Sequence, residues 1–116
     1  MSKTNLNKYA EGKAKSMTKA MYEPRKGETL TIDLIGEKTV RQKDGTEKVI
    51  PVLHWVEDRP PLNLNKTNLK FIIAEFGPEE KDYAGRKVEV WHDPTVELGG
   101  QLVGGLKLRL PRGSDR

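Results

Sequence analysis

The apolar positions of this chain alternate more often than they fall at helical spacing. Leu30, Ile32 and Leu34 alternate with Thr31 and Asp33, which is the period of a strand with one buried face. Ile35-Gly36 interrupts the alternation and Val40 resumes it, so a bulge or bend is expected near Gly36. A long first strand that bends in its middle is what a small closed barrel needs. Lys43-Asp44-Gly45-Thr46 predicts a hairpin turn, because Asp-Gly supplies the positive φ of a tight connection. The run Val49 to Val56 is rich in strand formers and nearly apolar on both faces, with Trp55 expected in the core. Pro51 has no N–H to give a ladder and is expected at an edge or a bulge. Arg59-Pro60-Pro61 reads as an extended connector, and Leu62 and Leu64 as a short third strand.

One helix is predicted, over 66–76. Leu69, Ile72, Ile73 and Phe76 form a single apolar stripe, Asn65 or Asn68 can cap it, and Gly77-Pro78 stops it. Phe71 falls off the stripe and is expected at the surface. Glu79 to Asp82 reads as a solvated loop. In the next strand Val88 and Val90 point one way, with Lys87, Glu89 and Trp91 on the other face. Asp93-Pro94 turns the chain, Gly99-Gly100 makes a hairpin, and Gly104-Gly105 permits another bulge. Leu106, Leu108 and Leu110 alternate with Lys107 and Arg109 up to Pro111. The order predicts a mainly β fold. It is a small oligonucleotide/oligosaccharide-binding (OB)-like antiparallel barrel of five to six strands, with the helix between the third and fourth. An open α+β sheet with the helix on one face is the alternative.

The charge distribution divides the chain. Overall it has 116 residues, 33% of them charged, and a net charge of +4. Residues 1–27 hold seven basic residues against two acidic ones, or +5, and residues 107–116 hold four against one, or +3. The stretch 28–106 is left at −4, with ten basic residues against fourteen acidic. With Gly12 and few large apolar residues, 1–27 reads as a flexible basic arm, 28–111 as the barrel domain and 112–116 as a disordered basic tail.

Catalytic chemistry has little to stand on. Cys is absent, which removes thiol nucleophiles, thiolate metal sites and disulfides. His54 and His92 lie in different strands and read as strand residues. The pairs Glu57-Asp58 and Glu79-Glu80 fall in loops, where carboxylates ordinarily solubilise. No phosphate-binding glycine motif is present. The expectation is a protein without catalytic residues, metal or cofactor. No apolar run approaches the ~20 residues of a membrane span, and no signal-peptide core stands at the N-terminus, so a cytoplasmic address is expected.

Single-stranded nucleic acid needs a cationic groove for phosphates and flat side chains for bases. Lys87 shares a face with Trp91, and Lys107 shares one with Arg109. If the two strands are neighbours, Trp91 is ringed by cations. The candidate interface is therefore Lys87, Trp91, Lys107 and Arg109, with Lys38 and Arg41 on a loop that closes over the ligand. The competing role for Trp91 is to cover an open end of the barrel.

Three stretches carry a family resemblance. They are Leu62-Asn63-Leu64-Asn65-Lys66-Thr67-Asn68, Ala84-Gly85-Arg86-Lys87-Val88, and Asp93-Pro94-Thr95-Val96 with Gly99-Gly100 and Gly104-Gly105-Leu106-Lys107-Leu108. Over about residues 49–110 the chain resembles a group of small bacteriophage and prophage proteins, similar in size and pattern to OB-like modules. The resemblance implies a role in phage replication or recombination, in the cytoplasm of the host cell. It transfers no functional residues, and the basic arm lies outside it. The function expected is non-catalytic binding of single-stranded nucleic acid, DNA first. The alternative is a protein-interaction module, a host-factor inhibitor or adaptor, whose acidic body and basic arm meet separate surfaces of a host or phage protein.

Overall fold

The computed structural model describes residues 16–111. The first fifteen residues of the basic arm and the tail 112–116 lie outside the described residues.

One long strand organises the molecule. β1 (Gly27–Arg41) is followed by β2 (Glu47–Trp55), β3 (Leu62–Asn63), α1 (Lys66–Glu75), α2 (Glu80–Tyr83) and β4 (Lys87–Asp93). β5 (Glu97–Leu98) and β6 (Gln101–Leu102) come next, then β7 (Gly105–Arg109). The main sheet is five-stranded and antiparallel, in the order β3-β2-β1-β4-β7, while β5 and β6 form a separate hairpin. β1 is shared between two ladders. Gly27–Thr31 pairs with β4, and Ile32–Arg41 pairs with β2.

The bulge falls at Asp33, not at Gly36. Ile32 faces Trp55 and Leu34 faces His54, which leaves Asp33 without an opposite residue. An extra residue reverses the inside-outside phase. Leu30 and Ile32 are therefore buried, Leu34 turns out to 41% exposure, and Ile35 packs on the core in its place. Gly36 sits in the regular ladder opposite Val52. The expected alternation through Leu34 stops one residue early for this reason. Pro51 lies where its missing N–H costs least, at the limit of the β2–β3 pairing, where its carbonyl accepts from the Leu64 N–H at 2.9 Å.

Leu30, Ile32, Leu53, Trp55, Leu62, Leu64, Ile72, Val88, Val90 and Leu108 are buried in one cluster. Trp55 takes the core position expected of it. Burying a Leu, Ile or Val side chain stabilises by roughly 1.5–3 kcal/mol, so the nine aliphatic residues of this cluster, together with Trp55, dominate the folding free energy. Met17 joins this core although it was expected in the mobile arm. Its N–H donates to the Pro61 carbonyl at 2.7 Å, and the Ser16 hydroxyl to Asn63 Oδ1 at 3.0 Å. Further along, the Arg25 N–H donates to the His92 carbonyl and the His92 N–H to the Lys26 carbonyl. The Tyr22 hydroxyl donates to Glu28 at 2.7 Å, and Arg59 Nε to the same carboxylate at 3.0 Å. Arg59 holds the Glu28 pKa below the ordinary carboxylate value, while burial and Glu28 push the Tyr22 phenol up. Residues 16–26 thus line the sheet, and the domain begins before residue 28.

Strand pairing does not close a barrel. Among the described residues no ladder joins β3 to β7. β3 pairs through only Leu62 and Asn63 before the chain turns into the helix cap at Asn65, so its edge is too short to meet β7. Asn68 bridges the gap instead. It is buried, donates Nδ2 to the Leu106 carbonyl at 3.0 Å and accepts the Leu108 N–H at 3.2 Å.

That bridge rotates the helix. The inward side carries Asn68 and Ile72, with Phe71 and Phe76 packed on the core edge to face at 6.4 Å. Ile73, expected on the buried stripe, is exposed, and Phe71, expected outside, packs on the core. Asn65 is the N-cap, accepting the Asn68 N–H at 2.8 Å, and Phe76 is the C-cap after a helix that ends at Glu75. Glu79 to Asp82, expected as a loop, includes most of the single turn α2, in which the Asp82 carboxylate takes the Glu79 N–H at 3.1 Å. Among the described residues no helix is long and apolar enough to cross a membrane.

Candidate nucleic-acid interface

The pairing of β4 with β7 places Trp91 opposite Lys107 and Glu89 opposite Arg109. Directly opposed residues share a face, so Lys87, Glu89, Trp91, Lys107 and Arg109 lie together on the side away from Val88 and Val90. Trp91 approaches β1 at Gly27. A Cβ built there would lie 2.6 Å from the Trp91 Cβ and 2.2 Å from the Val90 carbonyl oxygen. A glycine is what allows the two strands to come this close.

The Arg109 guanidinium lies over the Trp91 ring, 4.4 Å from its centroid. Glu89 holds the same guanidinium from the side, with Nε to Oε1 at 3.0 Å and Nη2 to Oε2 at 3.1 Å. A bidentate carboxylate and an aromatic face together fix the plane of the cation. The Trp91 indole N–H is buried without a hydrogen-bond partner, so packing and the guanidinium hold the ring. Trp91 itself is half-buried.

Each cation on this face has an acidic counterpart. Lys107 pairs with Asp93 at 3.0 Å. The Thr95 hydroxyl and N–H reach Asp93 at 2.6 and 2.8 Å, and with Lys107 they lower the Asp93 pKa to about 2. Lys87 donates to the Thr31 hydroxyl at 3.3 Å and stands close to Glu57. Burial pushes the Glu57 carboxyl up, but the Thr31 N–H and hydroxyl, at 2.8 and 2.9 Å, more than reverse this and its pKa falls below the ordinary value.

Lys38 and Arg41 lie elsewhere. The connection between the first two strands is only 42–46, and both residues belong to the part of β1 that pairs with β2. The covering loop expected there is a two-stranded ribbon. Lys38 Nζ donates to the Ser16 hydroxyl at 3.1 Å, and exposed Arg41 meets Glu47 at 3.7 Å.

The structure thus groups Lys87, Trp91, Lys107 and Arg109 and separates Lys38 and Arg41 from them. Glu89 and Asp93 were missed as partners of that group. Their signal was present, since the alternation that puts Lys87 and Trp91 on one face puts Glu89 between them, and Asp93-Pro94-Thr95 is a side-chain turn motif. Comparison with protein-family models, with curated proteins and with solved structures finds no match.

Proposed function

We propose that this chain is an OB-like module that binds single-stranded nucleic acid without catalysis, and that Arg109 backed by Trp91 is its base-stacking platform. The observation that carries the reading is the planar cation held flat on an indole by a bidentate carboxylate. Bases stack on guanidinium planes as well as on aromatic rings. With Trp91 beneath it, the outer plane of Arg109 is free of side-chain entropy cost when a base arrives. Lys107 and Lys87 flank it for phosphate contact. The strand order with a shared, bulged first strand supports the OB-like assignment, since that fold is a partly open five-stranded barrel. Action on phage DNA in replication or recombination is what the family resemblance implies.

Arg109→Lys separates stacking from charge. It keeps the cation and loses the plane. On full-length protein and a labelled oligonucleotide at low salt, Arg109→Lys is expected to weaken binding nearly as much as Arg109→Ala, by about tenfold or more. Retained affinity in Arg109→Lys would reduce Arg109 to a phosphate contact. No binding of wild type at low salt would remove the reading altogether.

A protein-interaction module is the second reading. It is favoured by the acidic partners of Lys107 and Arg109 together with Leu98 and Leu102, 74% and 67% exposed on the β5–β6 hairpin. Recovery of one defined protein from host lysate, unchanged by nuclease, would favour it.

A further inference from the structure

The ribbon formed by the second half of β1 and by β2 has a free edge, and its hydrogen-bond phase can be fixed. The Pro51 carbonyl is given to Leu64, away from β1, so the opposed pair Glu37–Pro51 exchanges no hydrogen bonds. The Gln42 N–H donates to the Thr46 carbonyl at 2.8 Å, which marks Gln42 as facing β2. Residues alternate, so Gly36, Lys38 and Val40 also face β2. The N–H and C=O groups of Ile35, Glu37, Thr39 and Arg41 then point the other way. On that side β4 pairs only as far as Thr31, and Ile32 is occupied by Gly85 and Arg86. Beyond Ile32, no described strand pairs with this edge.

The edge of β2 is guarded by Pro51, which withholds one donor. The edge of β1 has no proline and no bulge after Asp33. Its outward-facing residues Glu37, Thr39 and Arg41 are exposed and carry opposite charges at equal distances from Thr39.

We propose that this edge pairs antiparallel with the same edge of a second copy of the chain, about a two-fold axis at Thr39. That register opposes Glu37 of each copy to Arg41 of the other, twice by symmetry. Thr39 meets Thr39, and Lys38 meets Val40. The neighbouring registers are worse. Centring on Lys38 or on Glu37 opposes like charges, and centring on Val40 forms no ion pair within the strand. Residues with outward-facing backbone groups also meet one another in the Thr39 register, as a hydrogen-bonded ladder requires. Isologous pairing of this kind closes on itself and stops at two chains. Five residues per strand make a small interface, so the dimer is reversible and concentration-dependent.

Sedimentation equilibrium of the full-length protein tests the pairing, from about 1 μM to about 1 mM and at low salt, where exposed ion pairs are least screened. Wild type is expected to show a monomer–dimer equilibrium. Glu37→Arg alone and Arg41→Glu alone each turn two attractions into two repulsions and are expected to raise the dissociation constant about tenfold. The double variant Glu37→Arg/Arg41→Glu restores opposite charges and is expected to return to within about threefold of wild type. Both positions are exposed, so circular dichroism is expected to show all variants folded. A chain that stays monomeric, a dimer indifferent to either single reversal, or a double variant no better than the singles would each overturn the proposal.

Discussion

Asp93 links acid stability to the candidate interface. Its carboxylate takes Thr95 and Lys107 while nearly out of contact with solvent. Its pKa of about 2 lies below the ordinary value of 3.8. A depressed pKa gives stability that is complete above the unfolded value and is lost as the pH falls through the folded one. The shift corresponds to about 2 kcal/mol, lost between about pH 4 and pH 2. Asp93→Asn is expected to flatten that limb of a stability-versus-pH curve measured by urea unfolding. An unchanged acid limb would show that other carboxylates carry it. This residue was readable as a turn in the sequence but not as a buried ion-pair partner, because its diagonal approach to Lys107, which itself stands opposite Trp91, depends on strand register.

The helix illustrates where local pattern gives way to tertiary demand. Leu69, Ile72, Ile73 and Phe76 make the best apolar stripe in the sequence, yet the element turns to present Asn68. The reason is the short β3 edge, which leaves the outward groups of β7 without a strand partner. Asn68 satisfies two of them at once. Asn68→Ala is expected to cost about 2–3 kcal/mol in chemical denaturation, because it leaves a buried N–H and a part-buried C=O unpaired. A loss below about 0.5 kcal/mol would mean that water takes over both bonds. The strands themselves were legible, with the turn at Asp44-Gly45, the buried Val88 and Val90, and the alternation of the last strand all recovered. The bulge at Asp33 was not, since no residue type announces it and Gly36 offered a more obvious place.

The domain boundary also depends on three-dimensional context. Met17 and Tyr22 sit in a polar, basic stretch that reads as an arm, but they pack on the core. A chain beginning at Gly27 is expected to be about 3 kcal/mol less stable than one beginning at Ser16, because it loses Met17 and the bonds to Pro61 and His92. Equal melting temperatures for the two would show that residues 16–26 only rest on the sheet. The same comparison separates charge from fold. Residues 1–15 carry four basic residues against one acidic, so their removal lowers the net charge from +4 to +1 without touching the described core. Alternation put Lys87, Glu89 and Trp91 on one face of a strand and Lys107 with Arg109 on one face of another. That the two groups meet, and that Glu89 and Asp93 then neutralise the cations, depends on how the two strands lie against each other.

The shared first strand also sets an order in time. Its second half meets β2 across a five-residue turn, whereas its first half meets β4, as in the pairing of Leu30 with Val88. Loop closure makes the near pairing fast and the distant one slow. During synthesis the ribbon can form while β4 and β7 are still inside the ribosome. Gly27–Thr31 then waits, unpaired, for almost the whole chain to emerge. The strand that joins the two halves of the molecule is therefore also the one that stays half-finished longest.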